Sequence, residues 1–491
     1  MKTPYLQRML IWLGLAMTLA TPWAAATNYY VVTSSQQPSP TPPWTNWGWA
    51  HTNLIEVVAA ARDNDTVYVT NNTKYYLTNQ IPVKYAVTVR SWGPGGILDP
   101  TNTILDGNYP TTTNRHFTLS NYWATLAGFT LSNGWGSANT NGLGNTGSSG
   151  GSISLYYGTV TNCIITRNYA ISADPSYNQA GGGGIFMGMD SAKSGSVWNC
   201  TISRNIIGLK NCGGGILVNN GSWRIVNCTI SGNTAPDVGY EGGGILMNSA
   251  SGPGPGGVGV AVVSNCWVVS NRGDYGAGIK MSYNAECHNS FLMGNTSKYQ
   301  GGAIRAAGNN VIRNCLIANN ATTSSDGGGI SASGGNPTII QNCTIASNYC
   351  SGNGGGVNFA NYDGFPKVEN TIIWGNSAGG INSNWYMART NPANAWATFT
   401  NCCTSPDIYS NSTAVFASGT NTITNDPRFV SIAIADFRLQ SSSPCINAGV
   451  NRTWMDGALD LEGNRRIDQF NGQVDIGAYE YLPAGTLFVI H

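Results

Sequence analysis

A seven-residue phrase, Asn-(Cys/Ser/Thr)-x-x-x-x-Asn, returns eight times between residues 162 and 376, and a chain written this way folds as stacked copies of one unit. The copies open at Asn162, Asn199, Asn227, Asn265, Asn289, Asn314, Asn342 and Asn370. They close at Asn168, Asn205, Asn233, Asn271, Asn295, Asn320, Asn348 and Asn376. The steps between them, 37, 28, 38, 24, 25, 28 and 28 residues, are too short for separate domains and suit one solenoid turn each.

The contents of the repeat decide which solenoid forms. The third residue after each opening Asn is apolar (Ile165, Ile202, Ile230, Val268, Leu292, Ile317, Ile345, Ile373), and the residue directly after that Asn is small. Alternation with period two describes a strand with one buried face. A second strand follows a glycine cluster, as in Gly213-Gly214-Gly215-Ile216, Gly242-Gly243-Gly244-Ile245, Gly301-Gly302-Ala303-Ile304 and Gly327-Gly328-Gly329-Ile330. No helical stretch separates them. Short strands joined by Gly and Asn corners predict an all-β fold, a single-stranded right-handed parallel β-helix, with asparagines stacked from coil to coil. At about 4.8 Å per coil, eight repeats make a rod on the order of 40 Å long.

These repeats resemble the right-handed parallel β-helix proteins of the pectate-lyase-like superfamily. The pairing of Gly301-Gly302-Ala303-Ile304 with the preceding Phe291-Leu292-Met293-Gly294-Asn295 is similar to the repeats of polymorphic outer membrane proteins. The end of the chain is similar to the terminal segment of many secreted bacterial β-helix proteins. That likeness lies in Asp426-Pro427-Arg428-Phe429, Asp436-Phe437-Arg438-Leu439, Ser443-Pro444-Cys445-Ile446-Asn447-Ala448-Gly449, Asp460-Leu461-Glu462-Gly463-Asn464-Arg465-Arg466 and Val474-Asp475-Ile476-Gly477-Ala478-Tyr479-Glu480. The resemblance fixes architecture better than activity, because the fold carries lyases, hydrolases and adhesins alike.

Lys2 and Arg8 precede an apolar run at residues 9–20, and Ala24-Ala25-Ala26 offers a small-residue cleavage site, so residues 1–26 read as a secretory signal peptide. The run is short for a membrane span, and no transmembrane segment is expected after cleavage. Residues 27–110 read as an N-terminal cap with the first coils. In that cap Leu54, Ile55, Val58 and Ala61 fall at helical spacing, and Asp63-Asn64-Asp65 leads into the strand Thr66-Val67-Tyr68-Val69. Residues 111–425 read as β-helix repeats, 426–481 as a capping or return segment, and 482–491 as a tail. The expected location is extracellular or on the outer cell surface.

With 24 basic and 23 acidic residues among 491, the surface must consist largely of Asn, Ser, Thr and Tyr. No basic stripe exists to neutralise phosphates, which excludes nucleic acid as a partner. Six of the twelve cysteines (Cys163, Cys200, Cys228, Cys266, Cys315, Cys343) share the small inward position. Coils stacked at about 4.8 Å hold their side chains farther apart than the ~3.8 Å between Cβ atoms of a disulfide, so these six read as free, buried thiols. Cys212, Cys287, Cys350, Cys402, Cys403 and Cys445 read as lying off that ladder, with one disulfide open among them. Four histidines and no Cys-x-x-Cys argue against a transition-metal site.

Two faces compete as the working surface. Lys280 and Arg305 fall at outward positions just after the glycine corner on successive coils, with Glu241, Asp274 and Asp326 just before it. In the lyase reading that the resemblance implies, Lys280 or Arg305 is the catalytic base beside a uronate carboxylate, and the three acids hold calcium. The same residues read as a surface ion-pair row, worth about 0–1 kcal/mol per pair. On another face Trp267, Phe291 and Leu316 stand at successive outward positions and form an apolar patch, either a binding surface or the seat of the return segment. The acidic turn Asp456, Asp460, Glu462 reads as structural, since it completes no calcium loop.

The sequence therefore points to an exported or surface-associated scaffold, adhesin-like or glycan-contacting and non-enzymatic, that meets a polysaccharide or a cell-surface partner. The alternative is a polysaccharide lyase or hydrolase acting on uronate-containing glycans. No cofactor is expected outside that alternative, which needs calcium.

Overall fold

The structure is a computed structural model that describes residues 25–33, 42–137, 149–171, 181–188, 193–208, 213–235, 239, 242–248, 259–334, 337–360, 366–380, 383–387, 397–405, 418–467 and 472–483. Three long parallel sheets run the length of a β-helix. Among the described residues, sheet I has 14 strands, from Asn28–Val31 to Ser418–Thr420. Sheet II has 11, from Ile81–Val83 to Trp385–Met387, and sheet III has 12, from Thr73–Tyr76 to Cys403–Thr404. One coil illustrates the rest. Ser222–Val226 lies in sheet I, Thr229–Ser231 in sheet III and Ile245–Asn248 in sheet II; Ala261–Ser264 then pairs in register with Ser222–Val226 to start the next coil. The register never slips along the apolar row Ile165, Ile202, Ile230, Val268, Leu292, Ile317, Ile345, Ile373, and every member is buried.

The two asparagines of the repeat do different work. Each opening Asn adopts a left-handed backbone, with φ between 47° and 54° from Asn162 to Asn370, a conformation Asn tolerates better than most side chains. A second left-handed residue (Arg167, Arg204, Gly232, Ser270, Gly294, Asn319, Ser347, Gly375) precedes each closing Asn. Two left-handed residues thus bracket a strand of three, which forces a corner at both of its ends. The closing Asn points inward and forms the ladder. Asn233 donates both its backbone N–H and Nδ2 to Oδ1 of Asn271 at 3.0 Å, and Nδ2 also reaches the Ile202 carbonyl at 2.9 Å. Its own Oδ1 accepts the same two bonds from Asn205. The pattern holds from Asn168 to Asn376 and terminates on Asn384. Asn401 and Asn133 are left-handed corners too, so the corner rule extends one coil beyond the repeats at each end.

The small residue after the opening Asn has a stricter role than size. Sγ of Cys163, Cys200, Cys228, Cys266, Cys315 and Cys343 lies 3.1–3.3 Å from the carbonyl two residues back, across the left-handed corner. Ser290 and Thr371 make the same bond with a hydroxyl, at 2.6 and 2.8 Å. The position requires a small side chain with a donor, which explains why Cys, Ser and Thr alternate there. Cys402 belongs to this row, since it follows the Asn401 corner and donates to the Thr400 carbonyl; the sequence had set it apart.

Glycine clusters answer a packing limit. A Cβ on Gly214 would sit 2.1 Å from the Gly243 carbonyl oxygen of the next coil, and one on Gly215 would press on the Asn233 amide at 3.0 Å. Corner backbones stack closely there and favour glycine, with Ser152 and Ala303 at the positions equivalent to Gly215.

Helix α1 (Leu54–Ala60) buries Leu54, Val57 and Val58 over the first coil, with Asn53 capping its N-terminus. The first strand of sheet I, Asn28–Val31, precedes this helix, so the solenoid begins before its cap. Interior side chains form one continuous core. A second core lies outside the solenoid, between sheet III and residues 429–479.

In the early coils His116 is fully buried, with Nε2 3.0 Å from the carbonyls of Leu105 and Ser132 and Nδ1 3.0 Å from Ser152 Oγ. Burial pushes it from 6.5 down to about 4. The unfolded chain therefore binds more protons between those values, and stability falls as pH drops from 6.5 towards 4. Relative to His116→Gln, the native protein should lose on the order of 3 kcal/mol across that window, measured by denaturant unfolding at each pH. Parallel profiles for the two proteins would contradict a neutral buried imidazole. Replacing Asn233 by Leu orphans the donors of Asn205 and the Ile202 carbonyl, and should cost about 1–3 kcal/mol, read as a lowered unfolding midpoint.

Candidate functional site

On sheet II, Lys280 and Arg305 are register partners with side chains on the outer face, as the repeat predicted. The outer row leading up to them is apolar and covered: Phe186, Leu217 and Leu246 are all buried. Arg305 donates Nε to Gln300 Oε1 at 3.1 Å, and its guanidinium lies 5.4 Å from the centre of the Tyr275 ring. The two candidate carboxylates among the described residues each accept a backbone N–H. Asp274 is buried and accepts the Gly239 N–H at 2.9 Å, while Asp326 accepts the Asn353 N–H at 2.6 Å. Glu241 lies outside the described residues. Among the described residues no three His, Cys, Asp or Glu side chains gather where a metal ion could sit.

Sheet III carries the apolar row. Trp267 stacks on Phe291 with ring centres 4.1 Å apart and planes 12° from parallel. Leu316 was expected at the surface, but only 2% of it is accessible. Phe429, Phe437, Leu439, Ile476, Ala478 and Tyr479 of the C-terminal segment cover it together with Ala318, Ala346 and Ile372. Phe291 and Met293 are half-buried at the rim of this cover, and Trp267 remains 48% exposed beyond it. The structure therefore splits the three candidate contact residues, because a return segment distant in sequence seals the end of the row.

This strap is fastened by corner residues. Nδ2 of Asn314, Asn370 and Asn401 donates to the carbonyls of Leu459, Val450 and Ala448 at 2.8–2.9 Å. Arg466, fully buried, pairs with Glu480 at 2.5 Å and also donates to the carbonyls of Asn342 and Gly477. The Asp460 carboxylate accepts the backbone N–H groups of Glu462, Asn464 and Glu480, which makes the acidic turn a structural one. Because Glu480→Ala leaves the Arg466 guanidinium buried without its carboxylate, about 3–5 kcal/mol of local stability should be lost. Limited proteolysis should then cut within residues 426–481 while the solenoid stays intact; an unchanged digestion pattern would argue against the clamp.

A cleft lies on sheet I, in residues the sequence did not single out. It has a volume of about 720 Å³ and crosses five successive strands, from Thr125–Ala127 to Ala261–Ser264, a length of about 19 Å at the ~4.8 Å strand spacing. Its outer row reads Thr125, Thr159, Ser196, Arg224, Val262. Tyr122 and Trp123, 55% and 73% exposed, stand at one end on the turn before Thr125, with ring centres 4.7 Å apart. Trp198, 38% exposed, projects from the strand two coils on. Lys193 Nζ lies 4.3 Å from the centre of the Tyr157 ring and bonds the Tyr157 hydroxyl at 3.1 Å. Trp223 is buried beneath, its Nε1 donating to the Asn220 carbonyl at 2.6 Å. Past the cleft the same face turns ionic. Glu286 hydrogen-bonds His288 at 2.7 Å, and that bond, then the nearby Arg313 and Arg224 charges, holds its carboxyl below the usual range. One cue for this site was in the sequence: Trp198, directly before a corner Asn, is an outward position by the same alternation that marks the core.

The "Right handed beta helix region" family pattern matches residues 214–427. No curated protein sequence matches the chain. Among solved structures, the crystal structure of pectate lyase Pel9A aligns over 92% of this chain and 96% of that one, at 14% identity and a TM-score of 0.42. Among the described residues no helix is long and apolar enough to cross a membrane. With its register-true parallel sheets and its matching repeat region, the chain is a right-handed parallel β-helix.

Proposed function

We propose that the protein is an exported or surface-associated scaffold that binds a polysaccharide along sheet I and does not cleave it. The observation that carries this reading is the cleft of Tyr122, Trp123 and Trp198 around a row of Thr and Ser hydroxyls. Exposed aromatic rings stack on the apolar faces of sugar rings, and hydroxyls at the strand spacing exchange hydrogen bonds with sugar hydroxyls. Lys193 and Arg224 add positive charge, which favours a glycan with acidic substituents. The cleft follows the rod axis over five coils, so an extended chain fits it better than a single small molecule.

A binding role also suits what surrounds the candidate acid and base groups. Arg305 is engaged by Gln300 and the Tyr275 ring, and Asp274 and Asp326 are committed to backbone N–H groups.

The test is a binding screen of the protein lacking residues 1–26 against neutral and uronate-containing polysaccharides, with calcium and with chelator. Products are followed by absorbance of unsaturated sugars and by reducing ends. Binding is expected without products, and Trp123→Ala should weaken it by roughly tenfold, the loss of about 1.4 kcal/mol of stacking. Lys280→Ala should bind as the native protein does. Calcium-dependent product formation that disappears in Lys280→Ala would overturn the reading in favour of the lyase.

A further inference from the structure

The described cysteines differ in their surroundings: Cys287 and Cys350 stand off the corner ladder, with Cys287 Sγ 3.9 Å from Cys315 Sγ in the interior. Those on the inward ladder each donate to a carbonyl across their own corner and have a fixed local partner. Cys403 and Cys445 are different. Cys403 ends sheet III with its side chain on the outer face, and Cys445 sits in the strap, yet both are inaccessible within the core between them. Both side chains belong to one buried cluster between sheet III and the strap, where the neighbouring Cys445 thiol, and then burial, push the Cys403 thiol up, while Cys403 Sγ also approaches the Asn425 carbonyl at 3.4 Å. Backbone bonds fix the approach from the Cys445 side: its N–H donates to Ser443 Oγ at 3.2 Å, and its carbonyl accepts from Ile476 N–H at 2.9 Å.

We propose that Cys403 and Cys445 are the site of a disulfide that locks the strap to sheet III. The reaction needs an oxidant, and a disulfide-bearing exchange partner of an extracytoplasmic compartment supplies it. The Cys445 thiolate attacks that disulfide and forms a mixed disulfide, releasing one thiol of the oxidant. Docking then presents Cys403, whose thiolate attacks the Cys445 sulfur and releases the second. Two S–H bonds are lost, one S–S bond forms, and the oxidant takes up two electrons and two protons. Exchange must precede closure, because in the docked state both sulfurs are sealed from any partner. The contrast with the ladder is geometric. Ladder thiols stack along the rod axis at the coil spacing, each engaged by a carbonyl across its own corner, whereas Cys403 and Cys445 come from two different layers packed into one core.

The lock is tested on the full chain, folded with oxidised glutathione, then denatured without reductant and alkylated. Ten of the twelve cysteines should be labelled, with the intact mass lower by two hydrogens and one cross-linked peptide joining Cys403 to Cys445. Labelling of all twelve, or a cross-link between any other pair, would overturn the assignment. Reductant should speed proteolysis within residues 426–481 of the native chain and leave the rate in Cys445→Ser unchanged. An equal response to reductant in both proteins would also count against it. Neither readout depends on glycan binding, so the lock stands or falls separately from the function of the cleft.

Discussion

The inward asparagine ladder is the constraint on which the rest of the structure depends. Each closing Asn would be a costly buried amide by itself, yet here both side-chain groups are satisfied by the coils above and below. The satisfaction is reciprocal, so no coil can shift by one residue without orphaning its neighbours. Hydrophobic burial makes the interior favourable, but an apolar row would tolerate a slipped register far better than a hydrogen-bonded row does. The left-handed corners complete the device, because they return the chain to the same angle every time and deliver the next Asn to its predecessor.

Uniformity inside leaves freedom outside. Every outward position becomes part of a row at the strand spacing, and the residue type along a row can change from one coil to the next. Sheet I passes from aromatic and hydroxyl side chains to the ionic stretch of Glu286, His288 and Arg313, whereas sheet III passes from Thr and Ser to Trp267, Phe291 and a sealed apolar end. A solenoid can therefore place a binding surface on one part of a face and an anchoring surface on another without disturbing the core, since the two sets of side chains never meet.

That division explains what could be read from the sequence. Ile202 and Asn205 were legible because one phrase fixes their direction, their burial and their partner in the next coil. The cap helix was legible from Leu54 and Val58. Leu316 was not, since its cover comes from a segment more than a hundred residues away that shares no period with the repeats. The cleft was hidden for a related reason. Tyr122 lies in an irregular early coil and Arg224 in a regular one, and only stacking brings them to one face. The role of the small position was half legible: size followed from its inward direction, but the need for a donor emerged from the corner geometry of Cys228 and Thr371.

The strap ties these observations together. Sheet III from Leu316 onward carries an apolar outer row, and in water such a face on a long parallel sheet invites association with other chains. The strap covers it by using what the corners already provide: the amides of Asn314, Asn370 and Asn401, the first two of which also reach the corner asparagine of the preceding coil, become its hydrogen-bond donors. Corner asparagines Asn199 and Asn227 are left-handed too, but their sheet III neighbours are Thr and Ser, which water solvates without a cover. The strap stops short of the start of the row that runs from Trp267 through Phe291 to Leu316: Phe291 and Met293 lie half-buried at its rim, and Trp267 stays exposed beyond it. A single repeat thus serves two surfaces, one covered and one open.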